Sequence, residues 1–308
     1  MSFTSMMKKE LTQLEEKRCC RLAELSALVR MNGTIQLRQQ RMTLEIVTEN
    51  PSTARHIFSL IKELYNESPE VLVRKKARLK KNNVYLLRIH AKTQSMLADL
   101  HIIQSKQLEP VEGISPQLFT DLNCKRAYLR GAFLAGGSVN NPDSASYHLE
   151  IVSTYEDHAV ALCELMNQFH LHAKIIERKK GHVVYIKEGD KIGEFLNIIG
   201  AHPSLLHFEN VRIMKDMRNS VNRLVNCETA NLNRTIQAAM RQIENIRKIE
   251  QEIGLDQLPV RLREVAEVRV QYPELNLAEL GQQIPSGTIS KSAVNHRLRK
   301  IEEIAKRL

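Results

Sequence analysis

The sequence reads LSALVRMNG over Leu25–Gly33 and LRGAFLAGG over Leu129–Gly137. Each stretch is apolar enough for a buried helix, and each ends at a glycine, which tolerates the left-handed conformation that often terminates a helix. Similar segments follow each stretch, LEIVT over Leu44–Thr48 and LEIVS over Leu149–Ser153, and they alternate like half-buried strands. Both strands lead into a further helix. The same order of helix, strands and helix, found twice, predicts an internal duplication.

The fold class predicted from these patterns is α+β, with two tandem repeats and an all-α domain. Repeat one is predicted over 1–108, with its first helix at Leu11–Met31, and repeat two over 117–215, after a linker rich in proline and glycine. The apolar spacing is purely helical from there on, which predicts a helical domain over 222–308. Its last part, from about residue 275, has the length and pattern of a helix-turn-helix.

The charge balance indicates the class of partner. The 308 residues carry a net charge of +10, which favours a polyanion such as double-stranded DNA. No apolar run is long enough to span a bilayer, so no membrane association is predicted. The five cysteines include no Cys-x-x-Cys pair, and Cys19 and Cys20 are adjacent, a poor arrangement for joint chelation. We therefore predict a cytoplasmic, nucleoid-associated protein with reduced thiols, no metal site and no cofactor.

The two apolar stretches keep small residues where helices could pack closely. Ala23 and Ala27 lie four residues apart in one stretch, as do Gly131 and Ala135 in the other, so each pair shares a helix face. Together with the duplication, these stretches resemble the motif of the LAGLIDADG homing endonucleases.

That resemblance implies two motif helices packed side by side, each with a carboxylate at its sixth position to hold metal ions for DNA cleavage. The sixth positions here are Arg30 and Leu134. Neither side chain can bind a cation, so we predict a degenerate scaffold and no enzyme activity. A rival hypothesis is a metal-dependent endonuclease that uses other carboxylates, of which Glu45 and Glu150 are the symmetric candidates.

Basic runs are predicted at the tip of the second hairpin in each repeat. They comprise Arg74, Lys75, Lys76, Arg78, Lys80 and Lys81 in repeat one, and Arg178, Lys179 and Lys180 in repeat two. A single basic run in a turn is often merely solvated. The shared position in both repeats favours a phosphate-facing surface that adds affinity without reading sequence.

The last helix carries the predicted reading residues. Val294, Leu298, Ile301, Ala305 and Leu308 recur at helical spacing and are predicted to face inward. Ser292, Asn295, His296 and Arg299 lie on the opposite side, where asparagine and arginine suit adenine and guanine edges. Lys291, Arg297 and Lys300 are placed for phosphates, and no acidic residue occurs from Gly287 to Lys300.

Taken as a whole, the chain resembles the WhiA family, in which a degenerate LAGLIDADG pair precedes a helix-turn-helix. The most specific stretches are Tyr128–Ser138 and Ser290–Lys300. The resemblance implies a bacterial DNA-binding regulator acting in cell division, chromosome segregation or sporulation, with transcription or division proteins as further partners. An alternative is an interaction scaffold whose duplicated domain binds proteins and not DNA.

Overall fold

The computed structural model describes residues 2–38, 41–75, 83–104, 109–179 and 181–308, without the side chains of Arg38 and Arg41. These residues form two compact units, Met1–Met214 and Lys215–Leu308, which we call the repeat unit and the C-terminal unit.

The first half of the repeat unit contains four helices and one antiparallel sheet with the strand order β1-β2-β4-β3. Its elements are α1 (Phe3–Leu11), α2 (Arg18–Asn32), β1 (Gly33–Arg38), β2 (Arg41–Thr48), α3 (Pro51–Tyr65), β3 (Glu70–Lys75), β4 (Asn83–Ile89) and α4 (Thr93–Asp99). Leu44 and Ile46 of β2 are fully buried, while Glu45 between them points to the other face of the sheet.

The second half repeats this plan, and its strand order is β5-β6-β8-β7. Its elements are α5 (Leu122–Gly136), β5 (Gly137–Val139), β6 (Leu149–Ser153), α6 (Glu156–Asn167), β7 (Lys174–Arg178), β8 (Gly181–Ile186) and α7 (Gly189–Ile199). Leu149 and Ile151 are buried at the positions that correspond to Leu44 and Ile46. The predicted α+β duplication is therefore confirmed.

The single helix predicted over Leu11–Met31 is wrong in its first part. The chain forms two helices there, because Thr12 ends α1 with its hydroxyl donating to the Lys9 carbonyl at 2.8 Å, and α2 begins only at Arg18. The earlier helix packs against repeat two, where the Thr4 hydroxyl donates to the Val139 carbonyl at 2.9 Å. This long-range contact cannot be read from local periodicity.

The motif helices α2 and α5 pack directly against each other, as their small residues predict. Ala23 and Ala27 are fully buried. A β-carbon added to Gly131 would lie 2.4 Å from the Glu24 carbonyl oxygen and 3.0 Å from the Ala27 β-carbon. The backbones approach so closely that only glycine fits at this position.

The glycines that follow these helices are required for a different reason from the one predicted. Gly33 and Gly137 cap α2 and α5 with φ of −86° and −81°, which is extended backbone and not a left-handed cap. A β-carbon on Gly33 would lie 2.3 Å from the Val29 carbonyl oxygen, and one on Gly137 would lie 2.3 Å from the Phe133 ring. Steric exclusion at the sharp transition from helix to strand explains both glycines.

A buried polar network lies across the same helix pair. The Arg130 guanidinium donates to Glu24 at 3.1 Å and to Glu16 at 3.0 Å. His56 on α3 lies 2.8 Å from the other Glu24 oxygen. Glu24 and Arg130 are each 2% exposed, so each charge depends on its partners, since a buried charge without one is costly.

The C-terminal unit is entirely helical. Helix α8 (His202–Glu252) contributes residues to both units. It is followed by α9 (Val260–Gln271), α10 (Leu277–Gln282) and α11 (Lys291–Ala305). No helix among the described residues has the length and apolar character to cross a membrane.

Candidate nucleic-acid interface

Two capped helices form the predicted helix-turn-helix. The Asn276 side chain accepts hydrogen bonds from the Ala278 and Glu279 amides at 2.9 and 3.1 Å, and Glu279 accepts from the Asn276 amide at 3.1 Å. This reciprocal pair is a capping box, and it starts α10. Ser290 caps α11 by accepting from the Ala293 amide at 3.3 Å. The caps fix where each helix begins.

The turn between α10 and α11 depends on a glycine that we did not predict from the sequence. The Ile289 amide donates to the Gly281 carbonyl at 2.9 Å. A β-carbon on Gly281 would lie 2.3 Å from the Ile289 carbonyl oxygen. A glycine nine residues before the cap of the second helix is therefore required by a close approach of the two backbones.

The core beneath this turn follows the predicted stripe except at its end. Leu280 and Ile284 of the first helix segment are buried with Val294, Leu298, Ile301 and Ala305 of the second. Leu308 does not join them and is 44% exposed, because α11 ends at Ala305. Arg269 of α9 is buried nearby and donates to the Leu275 carbonyl at 2.8 Å, which holds the loop before α10.

The opposite face of α11 is polar and mostly exposed. Its exposed residues are Lys291, Ser292, His296, Arg299 and Lys300, and Asn295 is half-buried among them. In the described part of the chain, no hydrogen bond engages the side chains of Asn295, His296 or Arg299. Their donors and acceptors are therefore available to a ligand.

Arg297 occupies a different place from its predicted neighbours. Its Nη1 atom donates to the Arg261 carbonyl of α9 at 3.3 Å, and the side chain is half-buried. One guanidinium nitrogen thus fixes α11 against α9. A contact between Arg297 and a DNA phosphate, as predicted from the sequence, would have to use the other N–H groups of its guanidinium.

The described parts of the two hairpin tips lie at equivalent ends of β3 and β7. Arg74, Lys75, Arg178 and Lys179 are all exposed there. Arg178 also donates to Glu150 at 3.3 Å. The other predicted tip residues lie outside the described residues; they are Lys76, Arg78, Lys80, Lys81 and Lys180.

The two sixth motif positions are not arranged as a metal site. Leu134 is fully buried in the core. The Arg30 guanidinium donates to the carbonyl oxygens of Val111 at 2.7 Å and His101 at 3.2 Å, and burial lowers its pKa. Arg30 therefore anchors the segment between the repeats. The motif helices end at Asn32 and Gly136, and these residues carry no carboxylate either.

Glu45 and Glu150, the alternative acids, occupy equivalent places on the two sheets and are already paired. Glu45 accepts from Arg88 at 2.8 Å and from Gln36 at 3.1 Å. Glu150 accepts from Arg178 at 3.3 Å and lies 3.2 Å from His148. Among the described residues, the one cluster of potential metal ligands includes neither glutamate.

A tandem pair of LAGLIDADG-like repeats joined to a helix-turn-helix defines the class of this protein. Three family models match successive parts of the chain: a WhiA N-terminal LAGLIDADG-like domain over 18–103, a WhiA LAGLIDADG-like domain over 125–218 and a WhiA C-terminal helix-turn-helix domain over 221–305. The chain belongs to the WhiA family.

Similar proteins agree with this assignment along the whole chain. The probable cell division protein WhiA of Bacillus cytotoxicus is 59% identical over 308 residues, covering 100% of this chain and 97% of the relative. The protein of the same name from Bacillus cereus is also 59% identical over the same span, with the same coverage. The crystal structure of full-length WhiA from Thermatoga maritima superimposes with a TM-score of 0.63 at 29% identity, covering 100% of this chain and 99% of the other.

Proposed function

We propose that this protein binds double-stranded DNA through α11 and acts as a non-catalytic regulator. The observation that carries the proposal is the polar face of α11, on which the side chains of Asn295 and Arg299 make no hydrogen bond to any described residue. The sequence has no acidic residue from Gly287 to Lys300. Asparagine pairs well with adenine and arginine with guanine in the major groove. Ser292 and His296 lie on the same face, while Lys291 and Lys300 supply charge for phosphates.

The cellular role follows from the relatives. Relatives 58–59% identical are named probable cell division proteins, and we infer that this chain acts in cell division at the nucleoid. Chromosome segregation and sporulation are further processes in which a DNA-binding regulator of this build could act, together with transcription or division proteins. The proposal places the protein in the cytoplasm, where its DNA lies.

The direct test is a selection of bound fragments from genomic DNA by the full-length chain, followed by affinity measurements on the selected site and on scrambled DNA. A sequence-reading protein is expected to prefer the selected site by at least about 10³-fold at physiological salt. Equal affinity for the selected site and for scrambled DNA would mean that the protein contacts only phosphates and does not read the base sequence. The absence of any binding would favour the scaffold function.

The hairpin tips are proposed to add affinity that does not depend on sequence. Changing Lys75 and Lys179 together to glutamine is expected to reduce the slope of log affinity against log salt by about 1.8, since each phosphate contact contributes about 0.9. Lys62 is an exposed lysine on α3 and belongs to neither basic run, and Lys62→Gln is the matched control, for which the slope is expected to stay unchanged. A slope unaffected by the double substitution would show that the tips are solvated turns or face a protein.

The repeat unit is proposed to have no nuclease activity, because neither the sixth motif positions nor the helix ends offer a carboxylate. Supercoiled plasmid incubated with the purified chain and magnesium or manganese is expected to stay intact. The Glu45→Gln and Glu150→Gln variants decide the origin of any nicking that is seen. Nicking that disappears in either variant would establish the endonuclease hypothesis instead.

A further inference from the structure

Three cysteine thiols meet at the beginning of the two motif helices. Cys19 and Cys20 lie in the first turn of α2, and Cys124 lies in the first turn of α5. The Cys20 and Cys124 sulfurs are 3.9 Å apart, and all three sulfurs lie within 4.8 Å of one another. Adjacent Cys19 and Cys20 were expected to be poorly placed for joint chelation, but that expectation did not take into account a third thiol from the other repeat.

The cluster is a product of the duplication. Cys20 and Cys124 are 104 residues apart, and each is the third residue of its motif helix. Both sulfurs therefore lie near a helix N-terminus, whose dipole favours negative charge. Burial and the neighbouring Cys124 sulfur nevertheless raise the pKa of the Cys20 thiol, so a bound cation would have to displace its proton. The Thr120 hydroxyl lies 3.3 Å from the Cys124 sulfur and can donate to it.

The spacing of the sulfurs suits a thiophilic cation. A tetrahedral zinc ion with Zn–S bonds of about 2.3 Å holds its sulfurs about 3.8 Å apart. The Cys20–Cys124 separation of 3.9 Å is already close to that value. Since all separations are within 4.8 Å, none would need to shrink by more than about 1 Å. Cys20 and Cys124 are fully buried and Cys19 is half-buried, so the ion can enter and a water molecule can complete its coordination beside Cys19.

We propose that Cys19, Cys20 and Cys124 bind one zinc ion as three thiolates and thereby link the two repeats. On binding, three S–H protons pass to solvent and three S–Zn bonds form, with no change of oxidation state. Since the ligands come from α2 and α5, the ion stabilises the pairing of these helices and binds the folded chain better than the unfolded one. The zinc proposal does not rest on DNA binding by α11.

The experiment uses the full-length chain, reduced and freed of metal, titrated with Zn²⁺ and separately with Co²⁺. The expected result is one ion per chain, a sulfur-to-cobalt charge-transfer band, and a higher melting temperature with zinc. Cys20→Ser and Cys124→Ser are each expected to lower zinc affinity at least tenfold and to remove the band. Cys163 and Cys227 lie outside the cluster. Cys163→Ser and Cys227→Ser are therefore matched controls, which are expected to keep the zinc affinity and the charge-transfer band of the wild type.

If substitution of the buried Cys20 or Cys124 disturbs folding, a variant of the half-buried Cys19 can still test the proposal. The Cys19→Ser variant is expected to melt like the wild type without metal and to bind zinc at least tenfold more weakly. Affinity equal to the wild type in Cys19→Ser and Cys124→Ser would overturn the proposal, because zinc would then be bound elsewhere, for example by histidines. A Cys20–Cys124 disulfide that forms in air, together with a reduced chain that binds no zinc, would also overturn it and indicate a redox role.

Discussion

The Arg130→Ala variant is expected to lose about 3–5 kcal/mol of unfolding free energy, because the substitution leaves the Glu24 carboxylate buried without its guanidinium partner. The Arg130–Glu24 pair lies between α2 and α5, with nitrogen and oxygen 3.1 Å apart and both residues almost completely shielded from solvent. Glu16 also loses a donor in this variant. The substitution therefore weakens the packing of α2 against α5, which holds the two repeats together.

Tyrosine fluorescence during urea unfolding measures the stability of the repeat unit. Six of the seven tyrosines belong to that unit, and only Tyr272 belongs to the C-terminal unit. Arg88→Ala is the matched control, because Arg88 pairs with Glu45 on a more exposed sheet face. That change is expected to lower the unfolding free energy far less than Arg130→Ala does, because solvent screens an exposed ion pair. An Arg130→Ala variant no less stable than Arg88→Ala would contradict the role assigned to the buried network.

The same pair has a pH dependence of definite sign. Burial raises the pKa of Glu24, but the hydrogen bond from His56 and the charge of Arg130 outweigh this effect and hold that pKa below its usual range. A carboxyl with a lowered pKa stabilises the folded chain above its unfolded pKa and loses that contribution as the pH falls through its folded pKa. The stability difference between the wild type and Arg130→Ala is therefore expected to narrow as the pH falls below about 4.

The Val294→Asp variant is expected to unfold the helix-turn-helix and to abolish DNA binding. Val294 is fully buried in the small core of the C-terminal unit, and an unpaired carboxylate there costs several kcal/mol, roughly the whole stability of a small domain. Circular dichroism is expected to show a loss of helix, while the tyrosine transition of the repeat unit stays unchanged.

A second aspartate variant separates folding from binding. Ser292 lies on the exposed face of the same helix, so Ser292→Asp is expected to keep the helical content and weaken DNA binding by charge repulsion with phosphates. If Val294→Asp retained the helical content and the DNA affinity of the wild type, the assignment of Val294 to the core beneath the reading helix would be wrong.

Local sequence patterns predicted the parts of the fold that local forces determine. The duplication and the stripe from Val294 to Ile301 follow from the repeated segments and from apolar periodicity, and the structure confirms them. Gly33 and Gly137 were correctly predicted as helix ends, but the reason is steric exclusion at an extended cap. A sequence pattern identifies a glycine without distinguishing a left-handed turn from a close contact.

The buried pairs that sequence reasoning missed depend on residues far apart in the chain. Glu24 and Arg130 are 106 positions apart, and Cys20 and Cys124 are 104 apart. Neither spacing corresponds to a local motif, and both pairs meet because α2 packs against α5. A comparison of equivalent positions in the two repeats could have found Cys20 and Cys124, since both occupy the third position of their helices.

DNA reading by α11 is tested most directly by the affinity of the Asn295→Ala and Arg299→Ala variants for a selected operator and for scrambled DNA. Fluorescence anisotropy at fixed salt is the measurement, with melting followed in parallel and Glu303→Ala, an exposed change on the same helix, as the control. Each reading variant is expected to lose about 1–3 kcal/mol at the operator. Affinity for scrambled DNA is expected to fall much less, because the phosphate contacts remain. If both variants keep the full preference for the operator, α11 does not read the sequence, and the central claim is wrong.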